Sequence, residues 1–357
     1  MIGCVFVTDC EGPVSLNDNA FELTQRYVPD GDRLFSTLSR YDDVLADIEK
    51  RPGYSAGNTL RLITPFLRAY GVTNQGIEEF SRNHIVLTQD AQETLHLISK
   101  MFPCHMISTS YEQYVKALCK TIDFPDSNTF STHLDMDKYE IDGSETERLK
   151  ELKEQIVQLP KIEIPKDAKR IKDLSEEDIT TISRLDEIFF SELPSMKAGK
   201  LLKDVQPIGS KEKVKALYRL VEQTKIPLDN FIYVGDSITD VEIFKTVKRS
   251  KGLGIAFNGN QYAIQNADLA VISESALPIA LIAETFAKHG RSGVFSLANK
   301  WPDSLRNLAG NTIADHVLAL NENPVLVQIR RPNMMKIVEK SSNFRKKVRG
   351  KAIGSLG

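Results

Sequence analysis

Ile2-Gly3-Cys4-Val5-Phe6-Val7-Thr8-Asp9-Cys10-Glu11-Gly12-Pro13 opens the chain with an apolar run that ends in two carboxylates and a turn. The uninterrupted run reads as a strand buried on both faces, the kind that parallel sheets contain. Gly12 and Pro13 mark where the chain turns away. An acid at the carboxyl end of such a strand stands where open α/β sheets collect their ligands. An Asp-x-Glu-Gly turn is a loop or a helix cap in most sequences, so this stretch alone does not decide between structure and chemistry.

Further along, Tyr233-Val234-Gly235-Asp236-Ser237-Ile238-Thr239-Asp240 repeats the pattern: a strand ends in glycine and an acid, and another acid follows four residues on. Asp236 alone would serve equally as a helix cap. Two strands delivering Asp9, Glu11, Asp236 and Asp240 to one edge would concentrate negative charge. A hard divalent cation relieves that charge, and Mg²⁺ prefers a few carboxylate oxygens plus water. Cys104-His105-Met106-Ile107-Ser108-Thr109-Ser110 is a strand ending in hydroxyl residues, suited to hydrogen-bonding phosphoryl oxygens through side chains and backbone N–H groups. Lys211-Glu212-Lys213-Val214-Lys215-Ala216-Leu217 opens a helix in which one ammonium could balance a phosphoryl group.

Bulk composition narrows the class. The chain has 357 residues, 41% hydrophobic and 26% charged, enough for a substantial core and more than one domain. Lys plus Arg (46) nearly balances Asp plus Glu (48), which offers no general case for nucleic acid or an anionic membrane. Four cysteines without a Cys-x-x-Cys pair form neither a disulfide framework nor a zinc site, and a reducing cytoplasm is the expected location. The opening run lacks a basic flank and meets Asp9 and Glu11 too soon for a secretory signal. No stretch approaches the roughly 20 apolar residues of a membrane span.

Strand-like runs at Ile2–Thr8, Cys104–Ser108, Phe231–Val234, Gly252–Phe257 and Leu269–Ile272 alternate with helical patterns. Between the first two strands lies a mostly helical stretch that includes Thr59–Tyr70 before Gly71, a candidate cap. Ile141–Lys200 is Glu- and Lys-rich with apolar residues at helical spacing, read as a solvated helical insertion packed on the body. The basic end, with Arg330, Arg331, Lys340, Arg345, Lys347 and Arg349, reads as a disordered or solvated tail, with an anionic partner surface as the other reading.

In this order the four elements resemble the four motifs of the haloacid-dehalogenase superfamily. Asp9-x-Glu11-Gly12 and Gly252-Leu253-Gly254-Ile255-Ala256-Phe257-Asn258 look like its phosphoserine-phosphatase branch. The resemblance covers residues 1 to 14, about 85 to 140 and about 205 to 275. It implies an α/β fold, a Rossmannoid three-layer sandwich with a parallel sheet, a helical cap and an additional helical insertion. The implied division is a discontinuous core of residues 1–14, 98–140 and 201–290, a cap of 15–97, an insertion of 141–200 and a C-terminal extension of 291–357.

The same resemblance implies a Mg²⁺-dependent phosphatase acting on a small phosphorylated metabolite. Asp9 would be the nucleophile that forms an aspartyl-phosphate, and Glu11 the general acid and base, where the family usually carries aspartate. Ser108, Thr109 and Lys213, preferred to Lys211, would hold the phosphoryl oxygens. Asp9, the Glu11 backbone carbonyl, Asp236 and Asp240 would hold the metal. Arg26, Tyr41, Arg51 and Tyr54 are cap residues placed to meet a substrate's far end, each against an ordinary packing role. Transfer of the phosphoryl group to an acceptor alcohol would use the same residues. The whole sequence is also distantly similar to archaeal proteins of this superfamily associated by name with a methanogen energy-converting hydrogenase. That similarity implies a different class, an accessory or regulatory subunit that meets a protein partner through the insertion or the basic tail.

Overall fold

A computed structural model describes residues 3–165, 167–308 and 311–356; Ile2, where the expected first strand begins, lies outside them. Seven strands form one sheet: β1 Val5–Thr8, β2 Cys104–Tyr111, β3 Thr129–Thr132, β4 Phe231–Gly235, β5 Leu253–Phe257, β6 Leu269–Ile272 and β7 Val325–Gln328. Their order is β3-β2-β1-β4-β5-β6-β7. All neighbours pair in parallel except β7, which runs antiparallel to β6. Parallel neighbours need crossovers, supplied by Glu112–Ile122 between β2 and β3 and by Val241–Arg249 between β4 and β5. This is the three-layer α/β arrangement expected, with two further edge strands.

Alternate residues of the central strands go to opposite faces, the period of two that a pleated strand imposes. Phe6, Ile232 and Val234 pack with Met106, Ile255 and Phe286 on the face covered by the helix Leu277–Asn299. Val5, Val7, Phe231 and Tyr233 pack with Leu217, Phe244 and Val247 from the helices Ser210–Thr224 and Val241–Arg249. Each fully buried Val, Ile or Phe contributes roughly 1.5–3 kcal/mol relative to exposure. A core substitution such as Phe6→Ala therefore costs about 3–5 kcal/mol.

A third apolar cluster lies off the sheet. It joins Leu34, Leu38, Tyr41 and Phe66 of the first helical stretch to Leu149, Leu152, Ile156, Leu185 and Phe189 of the second. Cap and insertion thus share one core. The charged residues of Ile141–Lys200 cover its outer side, while its helical-period apolar residues face the cap helices. No described helix is long and apolar enough to cross a membrane.

The expected solvated tail is corrected by the structure. Met334–Arg349 forms a helix, and Ile337, Ser341 and Arg345 on one stripe of it are buried. Their spacing of four residues puts them on a single helical face together with Arg349. Ser341 Oγ donates to the Gly259 carbonyl at 2.7 Å, anchoring that face against the sheet domain.

Candidate active site

Asp9 follows the last residue of β1, and its backbone N–H donates to the Val234 carbonyl at 2.8 Å, carrying the ladder one step past the strand. The residue is 5% exposed. Oδ1 accepts from the Cys10 N–H at 2.7 Å. The chain then turns at Gly12 with φ +97°, and a Cβ there would overlap the Asp236 carboxylate. Glycine is required twice over, for the left-handed backbone and for the approach of β1's turn to β4's. Gly235 is needed for space alone, since a Cβ on it would run into the Asp240 carboxylate of its own turn.

Lys213 enters from the first turn of the helix Ser210–Thr224 and is fully buried. Its Nζ donates to Asp9 Oδ2 at 2.5 Å and to Asp240 Oδ1 at 2.7 Å. Asp240 Oδ1 also accepts from the Tyr233 hydroxyl at 2.6 Å, and Oδ2 accepts from the N–H groups of Asp236 and Ser237. These bonds saturate Asp240: it clamps the β4 turn and aims Lys213 at Asp9. Burial opposes the charges of both partners, but the Lys213 ammonium outweighs it and holds Asp240 below the usual carboxylate range. Asp240 and Asp9 likewise keep Lys213 above its ordinary value despite burial. Lys211 is elsewhere, its Nζ on the Tyr54 carbonyl at 3.3 Å.

Glu11 Oε1 accepts from the Asn19 N–H at 2.7 Å, at the N-terminus of the helix Asn19–Tyr27, which Asp18 caps through the Phe21 N–H. Burial, followed by the neighbouring Asp18 charge, pushes the Glu11 carboxyl well above its usual range, while the Asn19 N–H and Arg349 act the other way. Asp9 is pushed up by burial too, with Lys213 pulling it back.

A cavity of about 110 Å³ opens over these groups, lined by Asp9, Glu11, Asp18, Thr109, Ser110 and Asp236, by Asp42 and Asp43 of the cap, and by Arg345 and Arg349. Ser108 is fully buried below this lining, where its Oγ accepts from the Ser110 N–H at 3.2 Å. A register shift between Ile107 and Tyr111 in β2 turns Thr109 and Ser110 toward the cavity. Thr109 Oγ1 donates to the Ile208 carbonyl at 3.0 Å. The cap residues Arg51 and Tyr41 are not at the cavity: both hydrogen-bond Asp186 of the insertion, Arg51 at 2.7 Å.

Carboxylate oxygens of Asp9, Asp236 and Asp240, one from each, lie within 4.8 Å of one another. These are hard oxygen donors of the kind Mg²⁺ takes. Around them the carboxylates outnumber the cations Lys213, Arg345 and Arg349, an excess a divalent cation would reduce. Asp9 and Asp236 fit the role of ligands. Asp240, with both oxygens already hydrogen-bonded, fits that of their support.

Arg345 and Arg349 are the site residues sequence reading missed. Both side chains are 4% exposed and both donate to Asp236 Oδ2, Arg349 at 2.9 Å. Their only signal in the sequence is the four-residue stripe Ile337, Ser341, Arg345, Arg349, which places two cations on the same face as a buried isoleucine.

The model of the haloacid dehalogenase-like hydrolases matches residues 60–280 of this chain. A solved gene product of Archaeoglobus fulgidus is 30% identical over 99% of both chains, with a TM-score of 0.82. A phospho-aspartyl intermediate analogue of phosphoserine phosphatase is 15% identical over 78% of this chain and 98% of its own, with a TM-score of 0.48. A probable phosphoserine phosphatase from Vibrio cholerae is 12% identical over 78% of this chain and 65% of its own, with a TM-score of 0.43. No curated protein sequence matches the chain.

Proposed function

This chain belongs to the haloacid dehalogenase-like hydrolases, and from that membership we propose that it is a Mg²⁺-dependent phosphomonoester hydrolase working through an aspartyl-phosphate on Asp9. The observation that carries the reading is the placement of Asp9. It is a buried carboxylate at a strand's end, held by Lys213 and open to a small cavity that Glu11 also lines.

The carboxylate of Asp9 attacks phosphorus in line as the bond to the leaving oxygen breaks, forming an acyl phosphate. Glu11 donates its proton to the departing alkoxide, then takes one from the water that attacks the acyl phosphate and frees Asp9. Lys213 holds the nucleophile's carboxylate and places positive charge beside the phosphoryl oxygens. The Thr109 and Ser110 segment of β2 forms the facing wall. Asp9 and Asp236 would hold a magnesium ion, which would supply Lewis-acid charge there. The cap and the C-terminal helix restrict water and substrate size, and a cavity of about 110 Å³ suits a small phosphorylated metabolite.

The test is release of phosphate from para-nitrophenyl phosphate with Mg²⁺ present, in wild type and in Asp9→Asn. The wild-type chain should turn over and the variant should not; full activity in the variant would sink the mechanism.

A further inference from the structure

Arg345 and Arg349 arrive in the cavity on the same helix and meet the same carboxylate oxygen, but they are held differently. Arg349 is pinned: Nε donates to the Leu16 carbonyl at 2.9 Å, Nη2 to the Asn17 carbonyl and Nη1 to Asp236. Its three nitrogens are all engaged, so it works as a strut between the C-terminal helix and the loop that follows Glu11. Arg345 is bound to Asp236 through Nη1, while its Nε is buried with no hydrogen-bond partner among the described residues.

A buried N–H left without an acceptor costs about 1–3 kcal/mol. A guanidinium in that state, lining the cavity, holds a donor for something that enters. The other cation near the nucleophile is already committed, because Lys213 lies between Asp9 and Asp240. An incoming phosphoryl group therefore meets an acid-rich wall in which Arg345 is the cation with an uncommitted donor. The cavity is too small to hold a phosphoryl group away from its own lining. The planar fork of arginine also matches two oxygens of a phosphate at once, which an ammonium does not.

Building on the phosphatase reading, we propose that Arg345 is a substrate-binding residue whose guanidinium grips the non-bridging oxygens of the phosphoryl group, so that the C-terminal helix is part of the active site. Asp236 keeps its hold on the helix through Arg349, which leaves Arg345 free to turn its fork from the carboxylate to the anion.

The test is calorimetric binding of inorganic phosphate, the expected product, to the full chain with Mg²⁺ saturating, in wild type, Arg345→Gln and Arg345→Lys. Melting temperatures and Mg²⁺ titrations without phosphate are run beside it. Arg345→Gln should weaken phosphate binding on the order of tenfold or more, with Arg345→Lys between the two and Mg²⁺ affinity little changed. Phosphate affinity unchanged in Arg345→Gln overturns the proposal. So does a loss that follows Mg²⁺ affinity step for step, because Arg345 would then act on Asp236 alone. If Arg345→Gln does not fold, Arg345→Lys decides alone, and wild-type phosphate affinity in it counts against the proposal. Turnover by wild type with either overturning result leaves the phosphatase reading standing. Absence of both turnover and phosphate binding in wild type ends both.

Discussion

The Lys213 ammonium joins Asp9 to Asp240 across 204 residues of chain on one side and 27 on the other, at 2.5 and 2.7 Å, with all three side chains buried. Breaking a buried pair by removing one partner leaves uncompensated charge and costs about 3–5 kcal/mol. Lys213→Met should therefore lower the unfolding free energy by about that amount and reduce kcat by two orders of magnitude or more. Adding Asp240→Asn should recover part of the stability and none of the activity, because Asp9 remains without its cation. Chemical denaturation and para-nitrophenyl phosphate turnover measure the two halves.

Gly12→Ala tests how closely the two acid-bearing turns approach. A Cβ there meets the Asp236 carboxylate, and the φ of +97° is strained for any side chain. The expected cost is on the order of 1–3 kcal/mol, together with weaker Mg²⁺ binding, read from thermal melts with and without the metal. Gly53, at φ +78° with open space around it, is the control: Gly53→Ala should show the backbone penalty and leave Mg²⁺ binding as it is.

Asp43 carries a pH dependence of stability. Burial, reinforced by Asp42, pushes its carboxyl up to about 7, with Arg40 acting the other way. An unfolded aspartate titrates near 3.9. The native state thus keeps a proton that the unfolded chain has lost, so stability declines as pH rises from about 4 through 7 and levels off above. Three units correspond to an upper bound of about 4 kcal/mol. Asp43→Asn should raise the melting temperature most at pH 8 and hardly at pH 4. A uniform gain at both would show that the carboxyl is not the cause.

Mg²⁺ should stabilise the chain, since a cation between Asp9 and Asp236 binds the native state alone. At a free concentration one hundred times its Kd the gain is about 2.7 kcal/mol. Asp236→Asn should remove most of that shift. Chelation should abolish phosphatase turnover and return the melt to its metal-free value.

The strand-and-acid units were readable because β1 and β4 are continuous apolar runs, and a parallel sheet gives such runs a fixed destination: the acid that ends each strand must emerge at one edge. Asp9 and Asp236 follow from that rule without any knowledge of contacts. The two edge strands were less visible. β3 is only four residues, three of them partly buried Thr, Phe and Ser, and β7 pairs antiparallel, outside the repeating pattern. The arginines of the C-terminal helix were hidden for a different reason. Arg345 meets its carboxylate across 109 residues, and in a run of lysines and arginines a residue that points inward has the same letters as one that points to water. The shared core of cap and insertion escaped because each stretch, taken alone, has a complete amphipathic pattern that any apolar face would satisfy.

That shared core sets the mechanics of the molecule. The helical body built from the two stretches is strung to the sheet domain by four passages of chain: after β1, before the helix Ala91–Ser99, after β3, and before the helix Ser210–Thr224. A lid on two adjacent cords swings like a door. A body moored at four separated points has no such axis, and its freedom is reduced to sliding and slight rocking. The helix Met334–Arg349 is fastened to the same frame by its side chains, Ser341 to the Gly259 carbonyl and Arg349 to Asp236 and to the Leu16 carbonyl.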